Sequence, residues 1–192
     1  MQNPKKEITI GLVGKYVELQ DAYKSITESI IHAGTENACK VKVNWIHAEE
    51  INSDNTAQQF AGLNGVLVAP GFGDRGIEGK IIATQYAREN NIPFLGICLG
   101  MQLAVIEFAR NILGHSDASS TEMNEQTSTP VINLMEKQKK VTEKGGTMRL
   151  GAYDCLLTKS SNAYNCYKTI NIQERHRHRF EFNNNYKNEL EK

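Results

Sequence analysis

The sequence predicts an open, mostly parallel α/β sheet with helices on both faces, and three observations carry that reading. Short apolar runs recur at 8–13, 65–69 and 92–97. Helical periodicity fills the intervals between them, and glycine-rich turns fall where the runs end. Strands that alternate with helices pair in parallel, because each crossover helix returns the chain to the same end of the sheet.

The first run, Ile8-Thr-Ile-Gly-Leu-Val13, reads as a buried strand closed by Gly14. Asp21 is placed to cap a helix running to about Ala33, with Ala22, Ile26, Ile30 and Ala33 on one face and Gly34 as its stop. Val41, Val43 and Trp45 alternate in a strand over 39–46. The wholly apolar Gly65-Val-Leu-Val-Ala69 reads as an interior strand and meets the loop Pro70-Gly-Phe-Gly-Asp-Arg-Gly76. A helix is predicted over 77–89, a strand over 92–97 and a second helix over 99–112. Ligands of such sheets bind beyond the carboxyl ends of the strands. Gly71 and Cys98 both fall there.

After Gly114 the character changes. Residues 115–130 are polar and read as a loop, 131–172 as mixed strands and turns with Gly145-Gly146 at a corner, and 175–182 as a strand ending in the alternating Phe180 and Phe182. There is no internal repeat and no linker that marks a boundary, so the chain is expected to be one domain over residues 1–192.

Composition excludes several classes of function. The 192 residues carry 22 basic and 22 acidic side chains, so no overall field draws nucleic acid. No apolar run approaches the ~20 residues needed to span a bilayer. The opening Met-Gln-Asn-Pro-Lys-Lys has none of the apolar core of a secretory signal, which makes the cytoplasm the expected compartment and a membrane partner unexpected. The 4 cysteines are too scattered for a disulfide framework, and none sits at zinc-ligand spacing, so no metal is expected. Cys39, Cys155 and Cys166 read as ordinary buried or half-buried thiols.

Cys98 differs. In Leu95-Gly96-Ile97-Cys98-Leu99-Gly100 a buried strand gives way to a helix at the thiol, with a glycine two residues away on each side. A sharp strand–nucleophile–helix turn lifts a reactive atom above a sheet, and small neighbours leave room for its backbone. The helix N-terminus favours a thiolate and offers N–H groups to an oxyanion. A buried structural thiol uses similar positions, but has no need of two nearby residues without side chains.

Gly96-Ile-Cys-Leu-Gly-Met-Gln102 resembles the nucleophile motif of class I, triad-type glutamine amidotransferases. Four further segments narrow the resemblance to the glutaminase domain of the CTP synthases: Gly14-Lys-Tyr with Asp21-Ala-Tyr23, the 70–76 loop, Gly145-Gly-Thr-Met-Arg-Leu-Gly151, and Glu174-Arg-His-Arg-His-Arg-Phe-Glu181. It covers the chain from about Lys6 to Asn184, and several motifs in order are far more specific than any one.

The resemblance implies a flavodoxin-like, three-layer fold and a chemistry. Cys98 matches the nucleophile that attacks the side-chain amide of L-glutamine to form a thioester. Gly71 and Leu99 match the oxyanion-hole donors. Gly71, Leu99, Gly100, Met101 and Gln102 line the glutamine pocket; Glu122 matches the acceptor of the α-amino group, and Arg179 the partner of the α-carboxylate. A zwitterion needs one fixed charge of each sign. His176 and His178 match a non-catalytic stretch.

Two departures stand out. Ala69-Pro70-Gly71 replaces the usual Pro-Gly-Gly, which predicts a stiffer loop. The family's base lies in a His-Pro-Glu segment further along, which the sequence to Lys192 does not contain, so the domain is expected to be C-terminally incomplete. The resemblance also implies no cofactor in this domain: ATP, UTP and Mg2+ belong to a synthetase domain that is expected as its partner, in a homotetrameric parent enzyme.

Three other readings bear on the same motifs. Gly79-Lys80 is similar to the end of a phosphate loop, but Ile81 stands where Ser or Thr would hold magnesium and Asp74 where the first glycine belongs. The basic run 175–179 suits nucleic acid, yet Glu174 and Glu181 flank it. A catalytically inactive module that only binds or assembles is the principal alternative, followed by another thiol hydrolase on the same sheet.

Overall fold

The computed structural model describes residues 4–139 and 147–192, the Lys137 side chain excepted. The chain forms two compact units, one of residues Met1–Ile132 with Phe182–Lys192, the other of Asn133–Glu181. The predicted corner at Gly145-Gly146 lies outside the described residues.

In the first unit the elements alternate as expected: β1 (Lys6–Gly14), α1 (Lys24–Glu36), β2 (Cys39–His47), the single-turn α2 (Thr56–Gln59), β3 (Gly65–Val68), α3 (Ile77–Glu89), β4 (Phe94–Gly96) and α4 (Leu99–Asn111). The four strands form one sheet in the order β2-β1-β3-β4, and every pairing is parallel. A parallel interior strand is covered on both faces, so it reads as continuous apolar sequence, and all of β3 is buried.

The two-residue period of the strands sorts their side chains between two cores. Val13, Val66 and Val68 join Ile46, Phe60, Ala83 and Ala87 under α3. Leu12, Leu67 and Ala69 face the other way, against Tyr23 with Ile26 and Ile30 of α1. Helices on both faces follow from that alternation.

Two details of α1 differ from the sequence reading. A 3₁₀ turn, Gln20–Tyr23, precedes it, and no side chain caps its start at Tyr23, so Asp21 is not the cap. Ala22 and Ala33 are exposed, leaving Ile26 and Ile30 as the packed face. Gly34 does not end the helix, which runs to Glu36. Instead it is a point of close approach: a methyl group there would lie 2.7 Å from the Cys39 carbonyl oxygen.

Helices α3 and α4 are tied together by charge. Glu107 is 1% exposed and receives Arg88 through two nitrogens, at 3.1 and 2.7 Å, while Asn111 donates to it at 3.0 Å. A carboxylate taken out of water needs such partners.

The polar segment 115–130 is more ordered than a loop. Within it β5 (Ser119–Ser120) is buried and pairs in parallel with β6 (Pro130–Leu134). The Asp117 carboxylate accepts the Ser128 N–H at 2.8 Å, the Ser128 hydroxyl at 2.6 Å and the Thr129 hydroxyl at 3.0 Å. Side-chain bonds of this kind replace a hydrophobic anchor. Those contacts, the Ser128 hydroxyl foremost, hold Asp117 down from an ordinary value of 3.8 to about 2.

The second unit carries β7 (Arg149–Leu156), the short α5 (Asn162–Tyr167) and β8 (Asn171–Arg177), with β7 and β8 antiparallel. The strand predicted over 175–182 is two: β8 ends at Arg177, and β9 (Phe180–Phe182) begins after a break at His178-Arg179. From Phe182 the chain belongs to the first unit again, and there α6 (Lys187–Leu190) places Glu189 2.7 Å from His115. Cys39 is buried as expected, whereas Cys155 and Cys166 are exposed on the second unit, correcting the reading of them as buried or half-buried thiols. No helix among the described residues is long and apolar enough to cross a membrane, and no cluster of three metal-ligating side chains occurs among them.

Candidate active site

The turn from β4 into α4 is built by backbone packing. Ile97 N–H donates to Val68 O at 3.1 Å, which continues the β3–β4 pairing by one residue, and Gly100 N–H then closes a turn onto Ile97 O at 2.9 Å. A methyl group at Gly96 would lie 2.5 Å from the carbonyl carbon of Gly100, and one at Gly100 only 2.1 Å from Val68 O. Both positions exclude a side chain because helix start and strand end are in van der Waals contact. That is the physical content of the glycine spacing in the sequence.

Between these glycines Cys98 adopts φ 54°, ψ −108° and stands at the N-cap of α4. A left-handed conformation in a non-glycine residue costs of order 1–3 kcal/mol and persists only where the surroundings impose it. Here they do. Cys98 is half-buried, and its carbonyl accepts the Gln102 N–H at 3.1 Å, the first helical bond of α4. The first-turn N–H groups of a helix have no partner within it, which leaves Leu99 as a donor at the base of the thiol.

Gly71 lies beside that turn. A methyl group on it would sit 3.5 Å from Cδ2 of Leu99, so the 70–76 loop and the start of α4 share one wall. Leu99 and Gln102 are buried and Met101 is 42% exposed. Glu122 is exposed and follows β5, where its N–H donates to the Ser120 hydroxyl at 3.1 Å. Thus Cys98, Gly71, Leu99, Gly100, Met101, Gln102 and Glu122 all belong to the first unit. Arg179 belongs to the second. Its carbonyl accepts the Met135 N–H at 2.9 Å, and its Nε is buried without a hydrogen-bond partner among the described residues. In the same unit His176 stacks on Tyr153 with ring centroids 5.1 Å apart and bonds to His178 at 3.2 Å.

Sequence reasoning gave no role to two lysines that the structure puts under the loop. Lys15, 5% exposed at the end of β1, donates to Phe72 O at 2.6 Å and Gly73 O at 3.1 Å. Lys80, fully buried in the first turns of α3, donates to Ala69 O at 2.8 Å. Burial, and then the charge of Lys15, push Lys80 down to about 8, against an upward pull from Cys98. Lys15 is lowered too, by burial first and by Arg75 second. Arg75 itself pairs with Glu49 at 2.6 Å and lies 5.5 Å over the ring of Tyr16. The departure at 69–71 has a place in this arrangement: the ring of Pro70 fixes its φ, and Lys80 holds the carbonyl just before it.

Comparison with known proteins shows the family and the fold. The family model for glutamine amidotransferase class-I matches residues 18–192. The chain is 64% identical over 192 residues to a protein named CTP synthase from Cytophaga hutchinsonii and 62% identical over 192 residues to one from Flavobacterium johnsoniae. In each case all of this chain is covered but only 36% of the relative. Among solved structures, the Trypanosoma brucei CTPS glutaminase domain with bound acivicin superposes with a TM-score of 0.87 at 37% identity, covering 96% of this chain and 71% of that one.

Proposed function

Since the chain belongs to the class-I glutamine amidotransferase family, and within it to the glutaminase domains of CTP synthases, we propose that it binds L-glutamine and that Cys98 attacks the side-chain amide. The observation that carries this reading is the imposed conformation of Cys98 at the N-terminus of α4, beside Gly71.

In the proposed reaction the thiolate adds to the amide carbon, and the carbonyl oxygen takes the negative charge. The N–H groups of Gly71 and Leu99 hold it, each such donor contributing about 3 kcal/mol in other acyl-transfer enzymes. The proton that the thiol gave up passes to the nitrogen as the C–N bond breaks, ammonia leaves, and a γ-glutamyl thioester remains on Cys98. Water releases glutamate and restores the thiol, so that glutamine and water give glutamate and ammonia. Two low barriers replace one high one. Gly100, Met101 and Gln102 shape the pocket, Glu122 takes the α-amino group and Arg179 the α-carboxylate. The base is expected from a His-Pro-Glu segment not present in this sequence.

We assign the ammonia to a synthetase domain in a longer, homotetrameric cytoplasmic enzyme, where ATP and Mg2+ activate UTP for amination to CTP. Support for this comes from relatives named CTP synthase, of which this chain matches 36%. A Cys98→Ala substitution in such an enzyme is expected to abolish CTP formation from glutamine and to spare it from added ammonia. Equal loss of both contradicts the assignment.

A further inference from the structure

The buried lysine of α3 has no part in the glutaminase reading so far, yet it occupies the space directly behind the loop. Lys80 is 0% exposed, and Ala69 O is its hydrogen-bond partner among the described residues. A methyl group on Gly71 would lie 3.4 Å from Nζ of Lys80 and 3.5 Å from Leu99, so the ammonium, the loop glycine and the first residue of α4 converge on one point. A buried lysine that served only to fill space would be replaced at less cost by an apolar residue, because desolvating an ammonium is expensive.

We propose that Lys80 is a positioning residue for the nucleophile: its ammonium pins the Ala69 carbonyl ahead of Pro70 and Gly71, and its positive charge lies on the Cys98 side of the loop. The inference deepens the glutaminase reading and rests on it for the role of Cys98. Two consequences follow from the geometry. With Ala69 O held and the Pro70 φ fixed by its ring, Pro70 ψ is the main torsion left to aim the Gly71 N–H. A charge buried beside the thiolate is also poorly screened by water and salt. Lys15 faces Lys80 from the end of β1 and Cys98 faces it from the β4–α4 turn; Arg75, Glu49 and Asp74 act on Lys15 from the loop side.

The test follows alkylation of Cys98 by iodoacetamide across pH, read by mass spectrometry, with Cys155 and Cys166 as internal references for reagent dose. The midpoint is the readout, because a weaker acid yields fewer but more nucleophilic thiolates and the rate alone understates the change. Lys80→Met is expected to raise the Cys98 midpoint by about one unit, which is roughly tenfold in thiolate fraction at fixed pH. An unchanged midpoint in a folded variant overturns the proposal.

Should Lys80→Met fail to fold, the reciprocal measurement decides, since coupling between two sites is mutual. In a 13C-lysine-labelled Cys98→Ala chain, the Lys80 midpoint is expected to fall below the value of about 8 held in the unaltered protein. No movement overturns the proposal. Neither readout uses glutamine. Loss of labelling by a glutamine-like alkylator with the coupling intact therefore removes the glutaminase reading alone, and the converse pattern removes Lys80 alone.

Discussion

The α-carbon of Gly100 faces the carbonyl oxygen of Val68 so closely that an added methyl group would stand 2.1 Å from it. One contact thereby sets the height of α4 above β3, and with it the position of the thiol two residues earlier. A Gly100→Ala substitution must move the helix or the strand. Overpacking of this kind costs typically about 1–3 kcal/mol. Urea unfolding is expected to show that loss, together with a loss of selective Cys98 labelling; full labelling in the variant would contradict the packing role.

The Arg88–Glu107 pair gives a second prediction. Arg88→Ala strands a carboxylate that is 1% exposed, and removing one partner of such a pair costs about 3–5 kcal/mol. Replacing both partners, Arg88→Met with Glu107→Leu, is expected to recover most of that stability. Chemical denaturation of both variants checks it. Equal stability of Arg88→Ala and the parent chain would show that the pair does not hold α3 to α4.

Asp117 makes stability depend on acid. Its folded value of about 2 lies below its ordinary 3.8, so the folded state binds the proton less readily. The contribution is complete above pH 4 and is lost as pH falls toward 2. The melting-temperature gap between the parent chain and Asp117→Asn should therefore be constant near neutrality and should narrow between pH 4 and pH 2. A gap that does not change over that interval would refute the role.

Arg179 supplies a prediction about recognition. Arg179→Met is expected to slow labelling of Cys98 by a glutamine-like alkylator by roughly tenfold to a hundredfold, the loss that goes with a hydrogen bond to a charged group. Labelling by iodoacetamide, which carries no α-carboxylate, should not change. Parallel loss with both reagents would mean that Arg179 supports the fold and not the substrate.

What the sequence made legible was whatever depends on period and spacing. The helix over 77–89 is α3 to the residue, and the glycines around Cys98 mark contacts of 2.5 and 2.1 Å that admit no side chain. Local bonding was harder to read. Asp21 has the composition of a cap, but the 3₁₀ turn before α1 moves the helix start to Lys24. Ser119 and Ser120 look like loop, because their strand is held by Asp117 and by pairing with β6 and not by apolar burial. Lys80 was legible only as the end of a rejected phosphate-loop match: its burial and its bond to Ala69 O are tertiary contacts that spacing does not encode.

The most direct measurement is competition among the four thiols of the chain for a glutamine-like alkylating agent, followed by mass spectrometry. Cys98 is expected to be modified first and to be protected by free L-glutamine, even though Cys155 and Cys166 are more exposed. Modification that follows exposure alone, with glutamine giving no protection, would contradict the account.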